Sequence, residues 1–275
     1  MDPIRVFPRK TKWTPTDRLA FVGEPSLFGR PIDAETPVLV SCTFTWDMGE
    51  ALRLQKSWSR FYCNVQIGGP AFGDRGGEFT PGLFVKEGAV TTSRGCVRRC
   101  GFCLVPEREG ALREIAIEPG WNLFDNNLLA CSREHVEAVF EMLSTQKEPA
   151  IFSGGLDARL FESWHVSLLE KIRVKAMFFA CDSPAAIVPL QKVAGLMAGF
   201  SREKKRCYVL VGWNGETPKQ AGKRLEAVYD LDFLPFAMLY RGPDAGGRNT
   251  REFHDLIGVW RSPAAYKAKM KRRAV

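Results

Sequence analysis

Short apolar runs alternate with amphipathic stretches along most of this chain. From residue 88 onward six runs are rich in β-branched, aromatic and other apolar residues: GAVTTS (88–93), WNLFDNN (121–127), EPAIFSGG (148–155), VKAMFFACD (174–182), RCYVLVGW (206–213) and FLPFAMLYR (233–241). Each has the length of a strand and stops at a polar, charged or glycine-rich position. Between them, residues 132–147, about 161–171, about 184–199 and about 217–229 carry apolar residues at helical spacing. Ser132 caps the first of these, with Glu134 in its first turn, and Thr217 caps the last, with Pro218 at its first helical position. Apolar strands flanked by helices predict an α/β fold with a parallel sheet covered on its outer face. Six such units predict a (βα)6 sheet that closes partly into a barrel, with its chemistry at the C-terminal strand ends. Polar residues gather at those ends: Asp125, Asn126 and Asn127; Ser153; Asp182; Asn214; Tyr240 and Arg241.

Upstream of residue 88 the pattern is thinner. PVLVSCTFT predicts a strand and CNVQIGG a second one, stopping at Gly68-Gly69-Pro70. WDMGEALRLQKSWSRF between them predicts a helix, with Leu52, Leu54, Trp58 and Phe61 near helical spacing and Asp47 as its cap. A Gly-rich loop, AFGDRGGEFTPG, follows. The expected organisation is an N-terminal cap (1–87), a main α/β unit (88–260) and a C-terminal tail (261–275).

Composition limits the classes this organisation can serve. With 275 residues, 45% hydrophobic and 25% charged, the chain suits a folded soluble protein of one large domain plus an appendage. No apolar run has the length of a membrane span and MDPIRVFPRK holds no hydrophobic leader, so a cytoplasmic location with no membrane partner is expected. The net charge of +8 is uneven: RSPAAYKAKMKRRAV carries six Lys or Arg and no acid, which leaves +2 for everything else. That stretch reads either as a frayed, solvated end or as an arm that contacts phosphates.

The densest chemistry is in RGCVRRCGFCLVP, where Cys96, Cys100 and Cys103 stand in a CxxxCxxC spacing just after the first of the six strands. The other five cysteines, Cys42, Cys63, Cys131, Cys181 and Cys207, are spread singly and read as buried free thiols. Structural zinc takes four ligands, usually in two pairs, and no second pair is present. A [4Fe–4S] cluster on three thiolates leaves one iron open to a ligand from outside the protein, which is useful to a catalytic cluster.

CxxxCxxC with an aromatic residue, Phe102, before the last cysteine, on the loop after the first strand of such a sheet, resembles the radical S-adenosylmethionine (SAM) superfamily. The resemblance implies that Cys96, Cys100 and Cys103 hold a [4Fe–4S] cluster. It implies that SAM binds the open iron and is reductively cleaved to a 5′-deoxyadenosyl radical that takes a hydrogen atom from the substrate. A one-electron donor of the flavodoxin or ferredoxin class is the implied partner. The wording SRGCVRRCGFCLVPEREGALRE is similar to the cluster loops of methylthiotransferases and of cobalamin-dependent members, and NVQIGGPAFG resembles a strand end of the cobalamin-binding Rossmann-like domain. The upstream region is short for that domain and contains no histidine, so it reads as a shortened Rossmann-like cap and cobalamin is possible but not favoured.

Further roles follow from the same resemblance. The backbone of Phe102 would contact adenine. Asp125, Asn126 and Asn127 stand where family members hold the SAM amino group; the lesser alternative is a helix-capping cluster before Ser132. Ser153 and Gly154 would approach SAM, and Asp157 and Arg159 would reach its ribose or carboxylate unless they pair with each other. VLVGWNGE resembles the family's adenine motif, with Gly212 and Glu216 at its later positions, and Tyr240 would complete that site. Arg98, Arg99, Trp213 and Arg241, with Trp46 and Asp47, are candidates for the substrate mouth, and Trp46 serves the core equally well.

Basic residues at both ends and beside the cysteines favour a base in nucleic acid as the substrate. The compact form also resembles small phage and prophage members, some of which rearrange an amino-acid-derived substituent on DNA thymine; the location would then be the host cytoplasm. The alternatives are a small metabolite or a peptide, a cobalamin-dependent methyl transfer, and a non-catalytic iron–sulfur module that binds nucleic acid.

Overall fold

The computed structural model describes residues 2–26, 33–242 and 251–273. Its elements fall on two parallel sheets. The N-terminal sheet consists of β1 (Ile4–Phe7), β2 (Ala20–Val22), β3 (Val38–Ser41) and β4 (Val65–Gly68), in the order β2-β1-β3-β4. Helix α1 (Met48–Trp58) crosses from β3 to β4. The expected strand–helix–strand unit is present, with two strands added that the pattern upstream of residue 37 did not announce. Ile4, Val6, Val38 and Val40 form a core with Ala51, Leu54 and Trp58 of α1. The buried face of that helix therefore runs through 51, 54 and 58, while Leu52 and Phe61 are exposed. Asp47 stands at the cap position of α1 but bonds no helical N–H; its carboxylate takes both Arg9 Nε and Nη2 at 2.5 Å. A bidentate guanidinium outcompetes a single backbone N–H for a carboxylate.

The main sheet has six parallel strands. Its members are β5 (Ala89–Val90), β8 (Asn122–Leu123), β9 (Ala150–Leu156), β10 (Val174–Ala180), β11 (Lys205–Val211) and β12 (Leu234–Leu239), neighbours in chain order. Between β5 and β8 the chain makes a small antiparallel ribbon, β6 (Ser93–Arg94) with β7 (Arg113–Glu114), and a one-turn helix α2 (Val105–Arg108). Helices α3 (Arg133–Ser144), α4 (Ser163–Glu170), α5 (Ile187–Leu196) and α6 (Pro218–Asp230) form the crossovers, each inside its expected span but for Asp230. Ser132 accepts His135 N–H at 3.2 Å, and Thr217 forms a reciprocal cap with Gln220. The first two strands are much shorter than their apolar runs, because residues after Val90 and Leu123 turn away to build the site described below.

The faces of the main sheet are unequal. Along β11, Lys205, Cys207, Val209 and Val211 are buried, while Arg206, Tyr208 and Leu210 are half-buried. Cys207, Val209 and Val211 pack under the helices in one large core with Phe152, Met177, Phe179, Leu225 and Val228. Burying one face of such a sheet is its main stabilisation, at about 25 cal/mol per Å² of apolar surface. The other face carries an aromatic ladder in which Tyr208 stacks on Phe178 at 4.6 Å and meets Phe236 edge-on at 5.9 Å.

Through Arg273 the C-terminal stretch is helical and docked. α7 (Arg251–Arg261) buries Phe253, Ile257 and Trp260, and α8 (Pro263–Arg273) inserts Tyr266 and Met270 into the same core. Trp260 and Tyr266 stack at 5.5 Å. Lys267 pairs with Glu203 and Lys269 with Glu226. No helix among the described residues is long and apolar enough to cross a membrane.

Candidate active site at the cysteine loop

The cysteine loop is held at both ends by buried carboxylates. At its start, Asp125 Oδ1 accepts Thr92 N–H at 3.0 Å, the Thr92 hydroxyl at 2.8 Å and the Ser93 hydroxyl at 2.7 Å. The Thr92 hydroxyl also lies 3.2 Å from His135 Nε2. Burial drives the Asp125 carboxyl above the usual range despite these bonds, and its Oδ2 has no partner among the described residues. Glu109 closes the loop: it accepts Gly95 N–H at 3.2 Å and Asn126 Nδ2 at 2.6 Å, and pairs with Arg108 at 2.8 Å. Burial opposes ionisation of Glu109, but those partners outweigh it and hold the carboxyl below the usual range. Gly95 sits at φ +74°, and a Cβ there would overlap the Ala111 carbonyl, so the loop entry needs glycine.

Asp125 and Asn126 are thus builders of the loop, with their bonds running to Thr92, Ser93 and Glu109. Asn127 does face the cysteines: its Nδ2 lies 3.6 Å from Cys96 Sγ and 3.4 Å from Asp157 Oδ2, and its buried Oδ1 has no partner among the described residues. Asp157 collects two arginines. Arg159 donates from Nε at 2.7 Å and from Nη2 at 2.9 Å, and Arg98 donates from Nε at 3.1 Å. Burial raises the Asp157 carboxyl, yet the Arg159 and Arg98 bonds prevail and hold it below the usual range. Arg159 also feels Cys100, which together with Asp157 raises its own affinity for a proton. Arg98 is therefore tied to β9's exit and does not project freely towards a substrate, whereas Arg99 is exposed. Burial pushes the Cys103 thiol up.

The far strands close on the same loop. Trp213, at the exit of β11, packs edge-on against Phe102 at 5.2 Å, and a Cβ on Gly101 would touch its ring at 3.1 Å. Glu216 is occupied: its carboxylate accepts Gly212 N–H at 3.1 Å and pairs with buried Arg224 at 2.6 Å. Arg224 also donates to the Leu210 and Cys181 carbonyls, so Glu216 and Arg224 lock the turn between β11 and α6. Ser153 faces the interior, where its hydroxyl bonds Asn122 Oδ1 at 2.6 Å. Gly154 lets β9 press against β8's exit, since a Cβ would overlap the Asp125 carbonyl oxygen. Tyr240 N–H bonds the Val211 carbonyl at 2.9 Å. Trp46 is 54% exposed, so it is not core; it stacks on Phe44 at 4.8 Å, with the Arg241 guanidinium 5.5 Å from its ring. Of the single cysteines, Cys42, Cys181 and Cys207 are buried as expected, while Cys63 is exposed beside Glu35.

Sequence reasoning missed Glu109, Thr92, Ser93 and His135. Their residue types carry no spacing signal; the fold alone converges them.

No three Cys, His, Asp or Glu side chains among the described residues converge as a single metal ion would need. A [4Fe–4S] cube takes each thiolate on a separate iron, so its ligands do not have to meet at a point. The donors suit such a group: three half-buried thiols on one loop, Arg98 N–H 3.3 Å from Cys96 Sγ, and two guanidinium groups beside them to offset negative charge. No protein-family model matches this chain, and no curated protein matches it in sequence.

Proposed function

We propose that this chain is a radical SAM enzyme whose main sheet acts as a partial (βα)6 barrel, with the N-terminal sheet as a shortened Rossmann-like cap. The observation that carries the reading is the polar shell drawn around a three-cysteine loop from three different strand exits: Asn127 after β8, Asp157 and Arg159 after β9, and Trp213 after β11. When bound, a [4Fe–4S] cluster on Cys96, Cys100 and Cys103 would supply the open iron and the electron that cleave SAM. Asn127 is suited to hold the amino end of SAM, because its Oδ1, without a partner among the described residues, accepts from an ammonium. Arg159 stands beside it with its Nε–Nη2 edge on Asp157, and would turn part of its guanidinium to the SAM carboxylate. Phe102, backed by Trp213, offers backbone to adenine.

For the substrate, a base in nucleic acid is our reading, with rearrangement of a substituent on thymine as the reaction. The exposed stack of Phe44, Trp46 and Arg241 and the ladder of Phe178, Tyr208 and Phe236 support it, since unstacked bases bind aromatic faces. A small metabolite is the second reading, favoured by the ion pairs that occupy Arg9, Arg98, Lys267 and Lys269 and leave fewer cations for phosphates.

Anaerobically reconstituted protein given dithionite and SAM is expected to release 5′-deoxyadenosine, and Cys100→Ala to release none. No product from wild type, with Cys100→Ala binding as much iron, sinks the radical reading. Affinity for single-stranded DNA is expected to fall steeply with salt; an affinity indifferent to salt returns the substrate to the small-metabolite class.

A further inference from the structure

A cavity opens over the N-terminal sheet, walled on one side by Phe124 from the exit of β8. It encloses about 290 Å³ beyond the C-terminal ends of β1 and β3. Those two strands are neighbours whose chains leave in opposite directions, β1 towards β2 and β3 towards β4. Diverging exits open a crevice at the carboxyl ends of a parallel sheet, the usual position for a ligand in such folds. The walls are aromatic: Trp13 meets Phe124 edge-on at 5.3 Å and 85°, and Phe44 and Phe84 line the remainder. Arg9 and Asp47 contribute the charges, and each is spent on the other. Ser41 and Thr43 line the cavity, and their hydroxyls have no hydrogen-bond partner among the described residues.

We infer that this cavity is a second binding site, for an uncharged heteroaromatic ring of nucleobase size. Perpendicular aromatic walls favour a flat ring over a branched aliphatic group. The self-neutralised Arg9–Asp47 pair offers no uncompensated charge to an anion or cation. Two free hydroxyls serve the polar edge of a ring. The volume is at the low end for small-molecule pockets, which suits one or two rings. None of Cys96, Cys100, Cys103, Asn127, Asp157 and Arg159 lines the cavity, whereas Phe44, Asp47 and Phe124 do, so it borders the proposed substrate mouth without needing the cluster.

Titration calorimetry on the full chain tests it, with thymidine, cytidine and adenosine as probes and cyclohexanol and thymidine 5′-monophosphate as non-aromatic and charged controls. At least one nucleoside is expected to bind saturably at one site, cyclohexanol not at all, and the monophosphate no better than thymidine. Thr43→Phe, which fills the cavity from an exposed position, is expected to weaken binding about tenfold or more, an energy of about 1.4 kcal/mol or more. Phe84→Ala, which removes one wall at the exposed rim, is expected to weaken it as well. Cys96→Ala is expected to bind like wild type, so loss of cluster chemistry leaves this result untouched. Absence of saturable binding at millimolar nucleoside, or unchanged affinity in both cavity variants, overturns the inference.

Discussion

His165 is held neutral by its surroundings. Its Nδ1 accepts Glu162 N–H at 3.0 Å as part of the α4 cap, so a proton at that nitrogen would face another donor. The ring lies against Trp164 at 3.7 Å and Phe161 at 5.5 Å. Burial lowers its pKa from 6.5 to about 4. The unfolded chain therefore binds a proton that the folded chain refuses between those values. Stability is full above pH 6.5 and falls as pH drops towards 4, by about 3 kcal/mol at 1.36 kcal/mol per unit. Thermal unfolding from pH 7 to 4 should show this slope, and His165→Gln should flatten it. An equal slope in both proteins places the titrating group elsewhere.

At the scale of elements, the site depends on β8 and β9 ending in contact. Gly154 makes that contact possible, and the residues it brings together are Asp125, which anchors the loop, and Asp157, which holds Arg98 and Arg159. Gly154→Ala forces the two strand exits apart, with an overpacking cost of roughly 1–3 kcal/mol. Iron incorporation on reconstitution is expected to fall more than thermal stability suggests, because the displaced backbone belongs to Asp125. Chemical denaturation alongside an iron count checks this. Wild-type iron content in a destabilised variant would remove Gly154 from the site.

Over the whole molecule, the basic C-terminal stretch has two jobs that can be separated. Its apolar residues complete the main core, and its lysines reach acids on the surface. Tyr266→Ala is expected to cost about 3–5 kcal/mol, as for other large buried rings. Lys267→Ala with Lys269→Ala is expected to change stability by about 1 kcal/mol or less, since both ammonium groups sit in solvent-exposed side chains. Urea denaturation of both variants measures the contrast. A Tyr266→Ala protein as stable as wild type would mean that α8 does not dock in solution.

Much of this molecule was legible in the sequence. Apolar periodicity identified the six strands of the main sheet and their crossover helices, because burial on one face writes itself into spacing. CxxxCxxC marked the candidate site, because neighbouring ligands on one loop need no fold to be seen together. The short first strands, the partners of Asp125, Asn126 and Glu216, and the burial of Tyr266 were not legible. They depend on which backbone comes within hydrogen-bond reach of which side chain, and that distance is set by residues far apart in the chain. Asp125 bonds Thr92 and Ser93 more than thirty positions away, while Asp47 leaves its own helix for Arg9. Local sequence determined the elements and the three thiols; only tertiary packing decided which carboxylates are structural, which arginines remain beside the cysteines, and that the exits of β1 and β3 enclose a cavity.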